Sequence, residues 1–357
     1  MIVDFQFGST GKGLIAGYLA SRESYDTVTC AFATNAGHTY RCGETTVMTQ
    51  QLPTGIISPT VKNVMIGPGA LIHVDTLRKE IERYGHYLEG KRLLIHPHAA
   101  IVEDYHAFEE LHGGQTKMGS TAKGVGAAAI ERILRKQDDP NIADRRLTGY
   151  LRQYLVDAEE YRHTMNLSDS CLVEGAQGFS LSMYHGNYPY VTSRDVTPWQ
   201  IAADCGLPMK WASTIAVIGT LRTFPIRVNN RDGYSGPAYD DQLEIEWTDL
   251  GIEPELTTVT KLPRRIFTFS HQQYEEALWH CGSYWKTRLF LNFANYAPTP
   301  LGVGRLITKL ETPTELMMNH ANVEWVGVGP DDSDVMPVNE WRELYLGAVD
   351  SEGGHAD

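Results

Sequence analysis

Apolar residues along the chain follow two rhythms. Short unbroken runs predict buried strands: "MIVDFQF" (1–7), "VKNVMIG" (61–67), "KRLLIHP" (91–97), "SCLVEG" (170–175), "STIAVIGTL" (213–221), "TRLFLNF" (287–293) and "VEWVGVG" (323–329). Between them, "GLIAGYLASR" (13–22), "VDTLRKEIERYG" (74–85), "EDYHAFEELH" (103–112) and "SHQQYEEALWHCG" (270–282) space their apolar positions as helices do. Strands interleaved with helices predict an α/β fold, with a central, mostly parallel β-sheet flanked by helices on both faces. Ligands of such folds gather in the loops at the carboxyl ends of the strands. The expected organisation is one domain over residues 1–340 and a C-terminal tail over 341–357, ending in "VDSEGGHAD".

Five loops interrupt this pattern with glycine and polar residues. They are 7–13, 33–39 ("ATNAGHT"), 112–126 ("HGGQTKMGSTAKGVG"), 174–198 ("EGAQGFSLSMYHGNYPYVTSRDVTP") and the basic 257–265 ("TTVTKLPRR"). All sit beside expected strands, so one pocket assembled from several loops is the economical reading.

Composition narrows what that pocket takes. The chain has 357 residues and a net charge of −13, so no basic excess exists to neutralise a nucleic-acid backbone. Small phosphorylated ligands need only a local cluster of donors and stay open. Cys30, Cys42, Cys171, Cys205 and Cys281 form no CxxC pair, which reads as reduced thiols in a cytoplasmic protein. No apolar run approaches the ~20 residues of a membrane span, and "MIVDFQF" running straight into a glycine loop is not a signal peptide.

Between a strand and a helix, "GSTGKG" (8–13) offers backbone N–H groups and a helix N-terminus to an anion, with Lys12 as a point charge. It lacks the hydroxyl that follows the lysine in a full phosphate-loop motif, so an ordinary glycine-rich turn stays open. His38 lies in a small polar loop with Asn35 and Thr39, a setting for an imidazole that donates to developing phosphate charge. Ser120, Thr121 and Lys123 among glycines suit a loop that closes over a phosphate. Gln177 carries an amide able to read a base edge, or else marks a polar turn; Thr192 and Ser193 add hydroxyls. Arg264 and Arg265 can fork onto a carboxylate or phosphate, or be plain surface arginines. "HPH" at 96–98 is assigned nothing beyond a strand end.

Together these stretches resemble the adenylosuccinate synthetases over nearly the whole chain and in the family's order. "QFGSTGKG" stands for the family's "QWGDEGKGK", "NAGHT" is intact, "GSTAKGVG" stands for "GTTGRGIGP", and "EGAQG…HGNYPYVTS" is nearly intact. The resemblance implies a phosphate-loop-like adenylosuccinate synthetase fold and a two-step ligase with Mg²⁺. A nucleoside triphosphate phosphorylates O6 of a purine nucleotide, and the amine of L-aspartate then displaces the phosphate. It implies Gly8, Thr10, Gly11, Lys12 and Gly13 at the donor phosphates, with Ser9, Lys12 and His38 as the catalytic set. Ser9 and the Gly37 carbonyl would meet the metal. Asn35, Ser120, Thr121 and Thr192 would bind the substrate nucleotide, Gln177 would face its base, and Val259, Thr260 and Arg264 would hold aspartate. Arg135 would reach the phosphate in a neighbouring subunit, which implies a homodimer.

Three departures refine this. Ser9 replaces the family's aspartate, leaving room for a purine 2-amino group. That resembles the phage branch of the family, the deoxyguanylate-dependent 2-aminoadenylosuccinate synthetases of the diaminopurine DNA pathway. Phe293 and Asn295, in "LNFAN", replace the lysine and aspartate that read the guanine of GTP, and "VGVGP", with Gly329 and Pro330, replaces "STGP". An adenine donor, ATP or dATP, is therefore expected rather than GTP. Leu262 replaces an arginine of the aspartate loop, in keeping either with a substrate lacking a 2′-hydroxyl or with a lower aspartate affinity and nothing more. The expected reaction joins dGMP and L-aspartate; an IMP-dependent adenylosuccinate synthetase and a non-catalytic nucleotide sensor are the alternatives.

Overall fold

The computed structural model describes residues 1–113, 122–229, 234–257, 261–282, 287–313 and 321–347. Among them a nine-stranded sheet runs, edge to edge, through Val335–Pro337, Ala321–Gly327, Thr287–Asn292, Val217–Arg222, Ile2–Asp4, Cys171–Glu174, Thr27–Cys30, Asn63–Ile66 and Arg92–Ile95. Neighbours are parallel throughout except at one edge, where Val335–Pro337 turns back on Ala321–Gly327. The α/β expectation holds.

The apolar runs follow from burial on both faces. Ile2 and Val3, in the central strand, are 0% exposed, and so are Leu289 and Leu291 two strands away. Thr27–Cys30 is a strand the hydrophobic pattern did not show. Its threonines are buried, and Thr29 satisfies its hydroxyl by donating to the Met65 carbonyl at 3.1 Å. Because the central strands are parallel, the loops after Asp4, Cys30, Glu174, Arg222 and Asn292 leave from one edge of the sheet. A smaller antiparallel sheet of Ile226–Arg227, Arg265–Phe267 and Glu244–Ile245 and a hairpin of His38–Cys42 with Thr45–Thr49 flank that edge.

The expected boundary at 340 is corrected. A helix spans Val338–Tyr345, and its Trp341 is 1% exposed within the main core, so the packed body continues through this helix. Residues 348–357 lie outside those described. No helix among the described residues is long and apolar enough to cross a membrane.

Candidate nucleotide site

The chain leaves Ile2–Asp4, turns through residues 5–11 and enters the helix Lys12–Arg22. The turn is left-handed at Gly8 (φ 93°), Ser9 (φ 57°) and Gly11 (φ 93°). For Ser9 that conformation costs roughly 1–2 kcal/mol. A buried carboxylate shapes the turn from below. Asp4 Oδ1 accepts from the amides of Gln6 (2.9 Å) and Gly8 (3.2 Å), and Oδ2 from Thr10 Oγ1 (2.5 Å) and Lys12 Nζ (2.9 Å). Thr10 is fully buried, and its hydroxyl also lies 2.5 Å from that of Thr220. Its side chain is therefore committed to the protein; toward a phosphate it has only its backbone N–H to offer.

His38 is the best-anchored polar side chain of the neighbouring loop. Its Nδ1 lies 2.5 Å from Glu174 Oε1, and Glu174 is fixed in turn by the Thr54 amide (2.8 Å) and hydroxyl (3.1 Å). With Nδ1 committed to a carboxylate, Nε2 is the ring nitrogen left for a ligand. Gly13 makes this approach possible: a Cβ there would stand 2.9 Å from His38 Cβ and 2.7 Å from the Thr39 nitrogen.

Two further loops meet these. Gln177 Nε2 donates to Asn35 Oδ1 at 3.1 Å, joining the base-reading candidate to the 33–39 loop. Gly178 crosses the phosphate loop so closely that a Cβ would fall 2.3 Å from the Gly8 nitrogen. Lys123 donates to the Thr34 carbonyl (3.1 Å) while Thr34 Oγ1 donates to the Lys123 carbonyl (2.9 Å), and burial lowers the Lys123 pKa. Thr192 is half-buried, its amide held by the Leu181 carbonyl at 2.7 Å. Arg135 is exposed just past the helix Val125–Leu134, in a left-handed conformation (φ 50°). Ser120, Thr121, Val259 and Thr260 lie outside the described residues.

On the other side of the phosphate loop, Phe293 (φ 58°) follows the strand Thr287–Asn292, with the Arg222 guanidinium 3.6 Å over its ring. Asn295 is exposed on the short helix Ala294–Tyr296, and Gly329 and Pro330 follow Ala321–Gly327. Asn292 bridges the two parts by donating to the Thr10 carbonyl at 3.3 Å. Burial lowers the Arg264 pKa against the opposing pull of Glu255, so Arg264 is no plain surface arginine. Arg265 is spent on structure, donating to Glu244 (2.6 and 2.7 Å) and to the Gly236 carbonyl (2.7 Å).

Among the described residues no group of three or more His, Cys, Asp or Glu side chains could hold a metal. Ser9 and Gly37 are exposed and offer neutral oxygens. They suit a Mg²⁺ that arrives on a triphosphate and takes one or two protein ligands.

Reading the sequence missed Asp4, Glu174, Arg222, Glu255 and Asn292. A signal existed for two of them: Asp4 and Glu174 put a carboxylate into "MIVDFQF" and "SCLVEG", where a buried charge needs a partner.

Such an edge belongs to an α/β protein built to handle nucleotide phosphates. More narrowly, the chain belongs to the adenylosuccinate synthetase family, whose model matches residues 1–139 and 142–282. An N6-succino-2-amino-2′-deoxyadenylate synthase of Vibrio phage phiVC8 is 43% identical over 341 residues, covering 94% of this chain and 96% of that protein. The succinoaminodeoxyadenylate synthetase of cyanophage S-2L, solved bound to dGMP and dATP as an energy donor, superposes with a TM-score of 0.87 at 40% identity, covering 96% of this chain and 98% of that one. Adenylosuccinate synthetase from Plasmodium falciparum shares the fold, with a TM-score of 0.75 at 19% identity, covering 94% and 98%.

Proposed function

We propose that this chain is a C–N ligase that joins dGMP to L-aspartate at the expense of a nucleoside triphosphate. The product is 2-amino-2′-deoxy-N6-succinyl-AMP, a precursor of diaminopurine DNA. The observation that carries the substrate is Ser9, a small neutral side chain exposed at the mouth of the phosphate loop. The names of the phage relatives support it.

In the first step N1 of guanine gives up its proton to solvent as O6 attacks the terminal phosphorus and the nucleoside diphosphate leaves, turning a poor leaving group into a good one; the aspartate amine then attacks C6, phosphate leaves, and the surplus amine proton passes to solvent. Lys12 and the loop amides of Gly8, Gly11 and Gly13 hold the donor phosphates, and His38, oriented by Glu174, donates to the group in transfer. Ser9 and the Gly37 carbonyl would meet a Mg²⁺ carried on the triphosphate, which would supply charge neutralisation there. Asn35, Ser120, Thr121 and Thr192 bind dGMP with Gln177 at the base. Val259, Thr260 and Arg264 take aspartate. The donor is ATP or dATP, seated by Phe293, Asn295, Gly329 and Pro330; the dATP in the cyanophage relative supports this.

The working unit is a homodimer. Phe108, Leu111, Ile130, Ile133 and Leu134 are exposed on two adjacent helices, and Arg135 follows directly; its assigned role is at the phosphate in a second copy.

Phosphate release with ATP, Mg²⁺ and aspartate, in the presence of dGMP or IMP, tests the reading. Turnover of IMP alone overturns it, and nucleotide binding without aspartate-dependent phosphate release makes the chain a sensor. Ser9→Asp crowds the 2-amino group and lowers dGMP turnover by roughly fivefold to 150-fold, the range of a 1–3 kcal/mol overpacking penalty. Unchanged dGMP turnover removes Ser9 from base selection.

A further inference from the structure

Arg222 ends the strand Val217–Arg222 beside the phosphate loop, and its side chain is 0% exposed. Nη1 donates to the Ser9 carbonyl at 3.0 Å. Nη2 pairs with Glu255 Oε1, and the guanidinium plane lies 3.6 Å over Phe293. Tyr296 donates to the same Glu255 oxygen at 3.2 Å, and the Glu255 carbonyl accepts from the Arg264 amide at 2.8 Å. The Arg222 backbone is clamped as well: its amide donates to Gln6 Oε1 (2.8 Å) and its carbonyl accepts from Gln6 Nε2 (3.2 Å). One fixed cation thus touches the Ser9 peptide and the Phe293 ring, and through Glu255 it reaches the aspartate loop.

We propose that Arg222, held by Glu255, is a positioning residue for base selection: it locks the Ser9 peptide in the left-handed conformation that sets the hydroxyl opposite the purine 2-amino group. This rests on the role given to Ser9 above. A non-glycine residue stays left-handed only where its surroundings over-determine it. At Ser9 the charged hydrogen bond to its carbonyl is the contact that does so. The planar guanidinium fork suits three partners at fixed angles; an ammonium has no such geometry and no face to lay on Phe293. Because the same guanidinium covers one face of Phe293, the donor base and the substrate base share one support.

The test uses dGMP and dIMP, which differ only in the 2-amino group, and reads the ratio of their kcat/KM values. Arg222→Lys keeps the charge and lowers this ratio by about tenfold, the effect of losing one charge-assisted hydrogen bond. Glu255→Gln leaves Arg222 in place but loosens it, and lowers the ratio by about threefold, as expected for a partly exposed ion pair. Glu255 is 29% exposed, so this variant carries the test if Arg222→Lys does not fold. A merely structural role slows both substrates equally, so an unchanged ratio overturns the proposal. Ser9→Ala separates the two ideas. If it moves the ratio and the Arg222 and Glu255 variants do not, Arg222 loses the role and Ser9 keeps its own; if it also leaves the ratio fixed, the reading of Ser9 falls and takes this proposal with it.

Discussion

The floor of the phosphate loop and the outer face of the helices Asp104–His112 and Val125–Leu134 are built on opposite principles. Under the loop, polar groups are paired inside the chain: Asp4 takes four donors, and Glu174 takes His38 and Thr54. On the two helices, Phe108 is 63% and Ile133 68% exposed, beside Leu111 and Leu134. These helices are not loosely attached. Burial alone would raise the Glu131 pKa, but Arg146 and hydrogen bonds from Tyr105 and His106 outweigh it and hold the carboxyl well below its usual range. The loop therefore carries its own electrostatics, while the two helices keep an apolar face exposed. In the homodimer proposed above, a second copy would cover this apolar face, next to the arginine assigned to the neighbour's phosphate.

Breaking the finished region has the largest effect. Asp4→Asn leaves the Lys12 ammonium buried at 5% exposure without its counter-charge. The expected loss is about 3 kcal/mol of folding stability, read from the urea midpoint at constant slope. A midpoint that does not move means that Lys12 finds another anion or water. Next in size, Glu174→Gln removes the charge that orients His38. We expect kcat to fall about a hundredfold, the usual cost of spoiling one transition-state donor, with little change in KM for dGMP. If KM rises instead while kcat holds, His38 acts in binding and not on the transferring phosphoryl group.

How much of this was readable in advance differs between the two regions for a physical reason. Continuous apolar runs revealed the buried parallel strands, yet Thr27–Cys30 escaped because its threonines are buried through tertiary hydrogen bonds. Lys12, His38 and Gln177 stood out in loops between glycines. The carboxylates that hold Lys12 and His38 were passed over: Asp4 and Glu174 each signal a buried charge within an apolar strand, but neither strand names its distant partner. The pairing of Arg222 with Glu255 joins residues 33 apart, one at a strand end and one in a loop, and has no local signature. At the C-terminus, "VNEWRELY" carries the amphipathic spacing that puts Trp341 in the core, and the boundary set at 340 cut through it.

The unfinished region is tested by giving its apolar face a charge. Ile133→Asp places a carboxylate on the exposed patch, at a side chain 68% exposed and outside the core, so the monomer fold is expected to persist. Dimer dissociation, followed by sedimentation, should become easier by about thirtyfold, or about 2 kcal/mol, the loss typical of a central apolar anchor. Activity should fall with it, since each site would lose the partner's Arg135. A variant that sediments as a dimer at unchanged affinity moves the interface elsewhere on the surface.

The smallest effect sharpens the contrast between paired and unpaired interior groups. His38 faces a carboxylate; His96, at the end of the edge strand Arg92–Ile95, lies between Tyr161 (4.8 Å) and His98 (5.3 Å), and its Nδ1 accepts from the His98 amide at 3.1 Å. Burial, with a smaller push from His98, brings its pKa down to about 4. The unfolded ring titrates near 6.5. As pH falls below that value the unfolded chain takes up a proton that the folded chain refuses, so stability present at neutral pH is lost between about 6.5 and 4. After allowance for solvent at a ring only partly buried, this amounts to about 1 kcal/mol. His96→Asn keeps an acceptor for the His98 amide and removes the titration. The difference between wild-type and variant stability should therefore shrink over that window. A difference that stays constant from pH 7 to 4 means that the His96 ring titrates as it does in the unfolded chain.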